Sequence, residues 1–173
     1  MTMSHPSIPN GRRAVRLLAA FLLLIAVPVQ AADQDEPIQI EADSVELDEQ
    51  ESTSLYVGNV IVVQGQMSIA ADRVLVHHRP DRRPEHITAW GQPVRYRQQP
   101  TGDAKENRAR ALRMEYDVTK EQITLIDQAE LLQGNDRFSS DRIVYDRAHA
   151  QVKAGASAKG SGRVKITIVP EAK

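Results

Sequence analysis

Apolar and polar residues alternate along most of this chain as in strands with one buried face, but four times the alternation slips by one position at a small side chain. Ile38, Ile40 and Ala42 share one face, and the apolar series resumes at Val45 and Leu47. The same offsets recur in Met67, Ile69, Ala71, then Val74 and Val76; in Asn107, Ala109, Ala111, then Met114 and Tyr116; and in Asp136, Phe138, Ser140, then Ile143 and Tyr145. Strand side chains alternate strictly, so such a slip turns the second half inside out unless the backbone bends or bulges there. Residues 42, 71, 111 and 140 are therefore read as corners. Four corners in register describe an antiparallel sheet folded along a crease, with both halves turning their apolar faces into one trough.

The corners are 29, 40 and 29 residues apart, a solenoid-like repeat whose middle gap carries 11 extra residues. Two segments rich in loop-forming residues can house them, Arg79 to Pro84 and Gln98 to Asn107. A second repeat interleaves with the first: Gly58 to Gly65 matches in outline Gly91 to Gln98 and Asp127 to Gly134, with Ile87-Thr88-Ala89-Trp90 and Ile123-Thr124-Leu125-Ile126 before the latter two. The unit reads strand, tight turn, strand, corner, which is a β-meander. Val, Ile and Thr dominate the apolar runs, and no sustained helical spacing occurs after the first 31 residues, so the fold class is all-β.

Residues 1–31 are expected to be a cleavable signal peptide. Arg12, Arg13 and Arg16 precede an apolar stretch from Leu17 to Val29, and Val29-Gln30-Ala31 offers the small residues a signal peptidase reads, with a second cut after Ala32 open. The stretch is short of the roughly 20 residues a membrane-spanning helix needs. Residues 32–173 are one domain's worth of chain. The full chain has 22 basic and 23 acidic residues; the leader takes away three arginines and no acid, leaving 19 against 23 and a net charge of −4. That charge argues against a general nucleic-acid binder, whose affinity comes from neutralising phosphates. The chain has no cysteine, so its stability is expected from the sheet and its buried face, in keeping with a bacterial periplasm.

No catalytic or metal-binding pattern emerges. His77 and His78 are adjacent and point to opposite faces of a strand, and His86 and His149 lack ligands at metal-binding spacing. There is no nucleophile elbow, phosphate loop or dinucleotide fingerprint, and no enzyme activity, metal or cofactor is expected. Asp43, Asp72 and Asp141 each follow a corner, where a carboxylate can accept hydrogen bonds from backbone freed by a bulge; Leu112 breaks that series. Basic residues concentrate mid-chain, at Arg79, Arg82, Arg83, Arg95, Arg97, Lys105, Arg108, Arg110 and Arg113, as a solvated rim or as partners for phosphate. Tyr56, Trp90, Tyr96, Tyr116, Phe138 and Tyr145 are the only aromatics after the leader, and composition leaves open whether the trough is a dry core or incompletely filled.

The segments Glu36-Pro37-Ile38-Gln39-Ile40-Glu41-Ala42-Asp43, Val57 to Gly65 and Ile69-Ala70-Ala71-Asp72-Arg73-Val74 resemble the OstA-like family of lipopolysaccharide transport proteins. The likeness continues through Gly91-Gln92-Pro93, Met114-Glu115-Tyr116 and Arg163 to Pro170. A cleavable leader and an end at Lys173 are expected of the short periplasmic member, rather than of LptC with its retained membrane helix or LptD with its outer-membrane barrel. The resemblance implies a twisted, V-shaped β-jellyroll or "taco" of about sixteen antiparallel strands that holds acyl chains in an open groove. It implies a periplasmic bridge of stacked copies, with LptC at the inner membrane and LptD at the outer membrane as partners.

By correspondence with the family's groove, lipid contact is expected at Ile38, Ile40, Tyr96 and Tyr116. Alternation adds Leu47, Val60, Ile69, Val76, Phe138 and Ile143 as lining. The first and last strands, with Ile38, Gln39 and Ile40 at one end and Val164, Ile166 and Ile168 at the other, are expected to add to other chains edge to edge. A rival reading is a purely structural β-solenoid that connects envelope proteins over a dry interior.

Overall fold

The computed structural model describes residues 36–99, 105–155 and 163–170. The leader and its cleavage site lie outside the described residues. Ten strands make one antiparallel sheet: β1 Gln39–Glu41, β2 Ser44–Asp48, β3 Thr53–Gln64, β4 Met67–His78, β5 Pro84–Gln98, β6 Asn107–Asp117, β7 Gln122–Gln133, β8 Asp136–Asp146, β9 Gln151–Ala154 and β10 Lys165–Thr167. Neighbours run in the order β1-β3-β4-β5-β6-β7-β8-β10, with β2 also pairing β3 and β9 also pairing β8.

The expected corners are present. Burial in β4 falls on Met67, Ile69 and Ala71 and then shifts to Val74 and Val76, and β6 repeats this at Ala109, Ala111, Met114 and Tyr116. Pairing is interrupted at the same places, between Val57 and Val60, Ala70 and Arg73, Trp90 and Val94, Arg110 and Arg113, and Ile126 and Ala129. The interruptions line up from strand to strand and form the crease. One half contains β2, the front of β3, the back of β4 and so on to β9; the other contains β1, the back of β3, the front of β4 and so on to β10.

Two expectations are corrected. The segments at Gly58, Gly91 and Asp127, read as tight turns, are bulges inside β3, β5 and β7, because pairing resumes beyond each with the same neighbour. Chain reversal occurs instead at the strand ends, as at Gly65 and Gly134, both in left-handed backbone. Among the described residues there are ten strands, so the expected count of about sixteen is not met by separate strands. Strands β3 to β8 cross the crease without ending, since an interruption of one to four residues bends a strand while keeping both flanks paired.

The bulges have a sequence cause. Gly58 has φ +84°, Asn59 +46°, Asp127 +62° and Gln128 +52°, and Gly, Asn and Asp enter this region at the least cost. A Cβ on Gly58 would also lie 2.2 Å from Oδ2 of Asp43. Asp43 ties the corner between β1 and β2 to this bulge: its N–H donates to the Gly58 carbonyl at 3.0 Å and its carboxylate accepts from Nδ2 of Asn59 at 2.9 Å. Its side-chain partner is thus an amide, not the backbone N–H expected. The crease itself is lined by Val60, Ala71, Val94, Ala111, Ala129 and Ser140, all buried, because the half-sheets converge there and leave room for nothing larger than valine.

Candidate functional site

The interior face is built of cross-strand rows that run from one end of the sheet to the other. In the half holding β1, the register links Ile40, Val62, Ile69, Tyr96, Ala109, Leu131, Phe138 and Ile166. Facing it, Leu47, Ser54, Val76, Ile87, Tyr116, Ile123, Tyr145 and Val152 form a row across the half holding β2. Directly opposed residues in a ladder project from the same face, so each row is a continuous strip that is apolar almost throughout.

The middle of these strips is closed. Val60, Ile69, Val76, Tyr96, Tyr116 and Ile143 are all buried in a single hydrophobic cluster, which corrects the expectation of an open trough across the whole sheet. Trp90, counted among the aromatics that could fill the interior, lies instead on the outer face with Arg73 stacked 4.3 Å above its ring. Side chains opposite the crease change character. There the register sets Gln64, Met67, Gln98, Asn107 and Gln133 in one row, so amides rim the mouth of an apolar interior.

Hydrogen bonds join the two halves across this mouth. Nδ2 of Asn107 donates to the Tyr145 hydroxyl at 3.1 Å. Arg147, after β8, donates from Nε to Oε1 of Gln98 at 3.3 Å and from Nη1 to the Tyr116 hydroxyl at 2.8 Å, while the Tyr96 hydroxyl donates to the same Gln98 oxygen at 2.8 Å. Both family-matched tyrosines therefore sit with rings in the core and hydroxyls in a rim network. Burial pushes the Tyr145 hydroxyl above its ordinary range, against the opposing pull of the Arg147 charge.

The ends of the strips are open. Leu47 is 67% exposed and Val45 55% at one end; Ile166 is 54% and Ile168 70% at the other. Ile38, Ile40 and Phe138 are half-buried against the core, and Gln39 and Val164 are exposed. Strands β1 and β10 each have one neighbour, which puts both expected partner strands at the two ends of the sheet. Strands β2 and β9 are edges too, and sequence reasoning missed their part. The slip at Ala42 held the signal: it splits one bent strand into β1 and β2, so each end presents two edges. A cavity of about 630 Å³ lies beside the first end, lined by Ile38, Ile40, Tyr56 and Val76 with Arg79, Arg82 and Arg83 around them.

The remaining polar candidates are dispersed. Ser54 Oγ and His78 Nε2 are 2.8 Å apart, and His78 Nδ1 is 3.3 Å from the Arg82 carbonyl, which anchors the β4–β5 turn. His77 is paired across the ladder with His86. Among the described residues no three His, Asp or Glu side chains gather in a metal-binding cluster. Arg95 and Arg97 are exposed on the outer face, away from the interior strips.

Comparison with known proteins gives this geometry relatives. Residues 39–151 match the model of the family described as LptA/(LptD N-terminal domain) LPS transport protein. Lipopolysaccharide export system protein LptH of Pseudomonas aeruginosa is 33% identical over 154 residues, 87% of this chain and 86% of that protein. Lipopolysaccharide export system protein LptA of Escherichia coli K12 is 36% identical over 159 residues, 89% of this chain and 83% of that protein. The crystal structure of LptH from P. aeruginosa, described as the LptA-homologous periplasmic component of the lipopolysaccharide transport device, superposes with a TM-score of 0.75 at 32% identity, covering 81% of this chain and all of that one. With the folded sheet shared and the match spanning most of the chain, the protein belongs to the LptA/LptD N-terminal-domain family of lipopolysaccharide transport proteins.

Proposed function

We propose that this protein is a non-enzymatic periplasmic carrier that shields lipopolysaccharide acyl chains between its half-sheets and bridges the inner and outer membranes as a head-to-tail stack. The observation that carries the reading is the pair of apolar strips that run edge to edge, one ending exposed at Leu47 and the other at Ile166. Each methylene kept from water is worth about 0.8 kcal/mol, so one acyl chain of about a dozen methylenes costs on the order of 10 kcal/mol to carry unshielded. Aliphatic walls offer similar affinity at each step, which suits a lipid that must slide onward.

Strand parity supports the stack. Each half of the sheet has eight strand segments, alternating in direction from β1 or β2 to β10 or β9. A second copy, merely translated along the stack, brings its β1 beside β10 and its β2 beside β9 in antiparallel sense, so both half-sheets continue together. Such unlike-edge addition is open-ended. The family description joins LptA to the N-terminal domain of LptD, so a bridge that ends on LptD, and begins on LptC, extends one kind of joint to unlike partners.

In this reading cargo enters at the first end, over Ile38, Ile40 and Leu47, and advances as Tyr96 and Tyr116 yield their rim bonds. The filled middle of the interior favours one other reading, a structural connector with no lipid inside. Photocrosslinking from a probe at Ile40, with the exposed Lys120 as control, separates them. A lipopolysaccharide adduct at 40 and none at 120 is the expected result; a folded protein without an adduct at 40 moves the assignment to the connector.

A further inference from the structure

The outer face of the half holding β1 carries a charge pattern that the interior does not use. Arg95 is directly opposite Arg110, and two residues along each strand Arg97 is opposite Arg108, so four guanidinium groups project from one square of sheet. Like charges directly across a ladder destabilise it, and here two such pairs stand in succession. Neighbouring carboxylates answer only part of the charge. Glu106 pairs with Arg97 and, at 3.4 Å, with Arg108; Glu130 is shared by Arg110 at 3.1 Å and Arg137 at 3.2 Å. The guanidinium of Arg95 has no ion pair or hydrogen bond among the described residues. Among the described residues, five arginines against two carboxylates leave three positive charges in surplus.

The square borders a cavity of about 380 Å³ floored by Ile61, Ala70 and Leu132. Ile61 is 39% exposed, and the side chains of Arg97, Arg108 and Arg110 are 60%, 59% and 56% exposed, so both the apolar floor and the charged wall are open to a ligand. We propose that this outer cavity is a second binding site, one that takes the phosphate head of an anionic amphiphile between the two arginine pairs and the start of its chain over Ile61 and Ala70. Guanidinium forks match phosphate oxygens in pairs, which turns a costly row of like charges into a preorganised receptor. The floor gives a reason for an amphiphile over a free anion, since exposed apolar side chains beside the charges gain by being covered. The site is on the opposite face from the interior strips and does not depend on the carrier reading.

Isothermal titration of the folded protein with decyl phosphate below its micelle concentration tests this, at about pH 7.5 where a phosphate monoester carries nearly two charges. Inorganic phosphate and decyl maltoside are the controls. Decyl phosphate is expected to bind at least about tenfold tighter than either, and R95Q/R110Q to weaken it by about tenfold or more. R95K/R110K, which keeps the charge and loses the forks, falls between and serves if the glutamine pair does not fold. Lys120→Gln, which removes a positive charge from the turn after β6 and outside this cavity, leaves this affinity unchanged. Equal binding by R95Q/R110Q and the parent, or by R95K/R110K and the parent where the lysine pair is used, would place the ligand elsewhere and overturn the proposal. Inorganic phosphate matching decyl phosphate, meaning an adventitious ion only, overturns it too, as does decyl maltoside doing so.

Discussion

The same two apolar strips behave differently in the middle of the sheet and at its ends. Between β4 and β7 they face each other and are closed from solvent; at β2 and β10 equivalent positions carry Leu47 and Ile166 in the open. Sequence alone does not separate the two, for Val45 and Leu47 alternate with polar neighbours in β2 just as Ile123 and Leu125 do at the start of β7. What differs is whether another layer lies alongside. The middle is where the sheet gains its stability, and the ends are where it is unfinished, so substitutions in the two places should fail in different ways.

The largest effect is expected in the middle. Leu131→Ala opens a cavity in a fully buried layer and should cost about 2–5 kcal/mol in urea unfolding. Ile166→Ala, in the same class of cross-strand row but half exposed, should cost under about 1 kcal/mol. Equal losses at the two sites would mean that the ends are buried in solution and the contrast is wrong.

Next comes the crease that lets the middle close. Gly58→Ala puts a side chain at φ +84° and drives its Cβ to 2.2 Å from the Asp43 carboxylate, an expected loss of about 1–3 kcal/mol. Asp43→Ala in the same chain should recover part of it by removing the carboxylate, leaving the backbone strain and the contact with the Cβ of residue 43 at 2.9 Å. A double variant no more stable than Gly58→Ala would show that the clash is relieved without cost and that φ alone carries the effect.

At the ends the expected change is in association rather than in folding. Ile166→Asp together with Ile168→Asp charges the exposed terminus of one strip, and should weaken self-association by about tenfold or more in sedimentation velocity while stability moves by no more than about 0.5 kcal/mol. Loss of stability without change in association would assign β10 to the core of a monomer.

The crease was legible because a period of two leaves no room for a slip, so Ala42, Ala71, Ala111 and Ser140 announce a bend wherever the apolar phase changes. The bulges opposite them were not. Gly91-Gln92-Pro93 and Asp127-Gln128 have the composition of a reversing turn, and only pairing on both flanks shows that the strand goes on. Family likeness puts Tyr96 and Tyr116 in the groove. Their burial was not foreseeable, because it depends on how closely two half-sheets approach, which no local pattern encodes. Arg147 illustrates the same limit: it lies outside any strand, and only the folded sheet brings it to Gln98 and Tyr116.

The smallest effect sharpens the comparison from the rim, where turns rather than layers hold the structure. In the β6–β7 turn, the Asp117 carboxylate accepts from the Lys120 backbone N–H at 3.0 Å and from its Nζ at 2.7 Å. Burial raises the Asp117 pKa, but those bonds, with the nearby charges of Lys120 and His86, outweigh it and hold the group below its ordinary 3.8. In the β8–β9 turn, hydrogen bonds from the His149 backbone and ring depress Asp146 in the same direction. A carboxyl depressed in the folded chain is protonated first in the unfolded one, so its stabilisation is fully present above the unfolded pKa and is lost as pH falls through the folded value. Thermal unfolding should therefore be flat from neutrality down to about pH 5 with respect to these two groups, and should decline below about pH 4. Asp117→Asn removes one titrating group and should make that acid decline shallower, while Leu131→Ala lowers the whole profile without changing its shape. An Asp117→Asn profile parallel to the parent's would show that the turn contributes nothing through its charge, and would leave the buried layers as the source of the acid response.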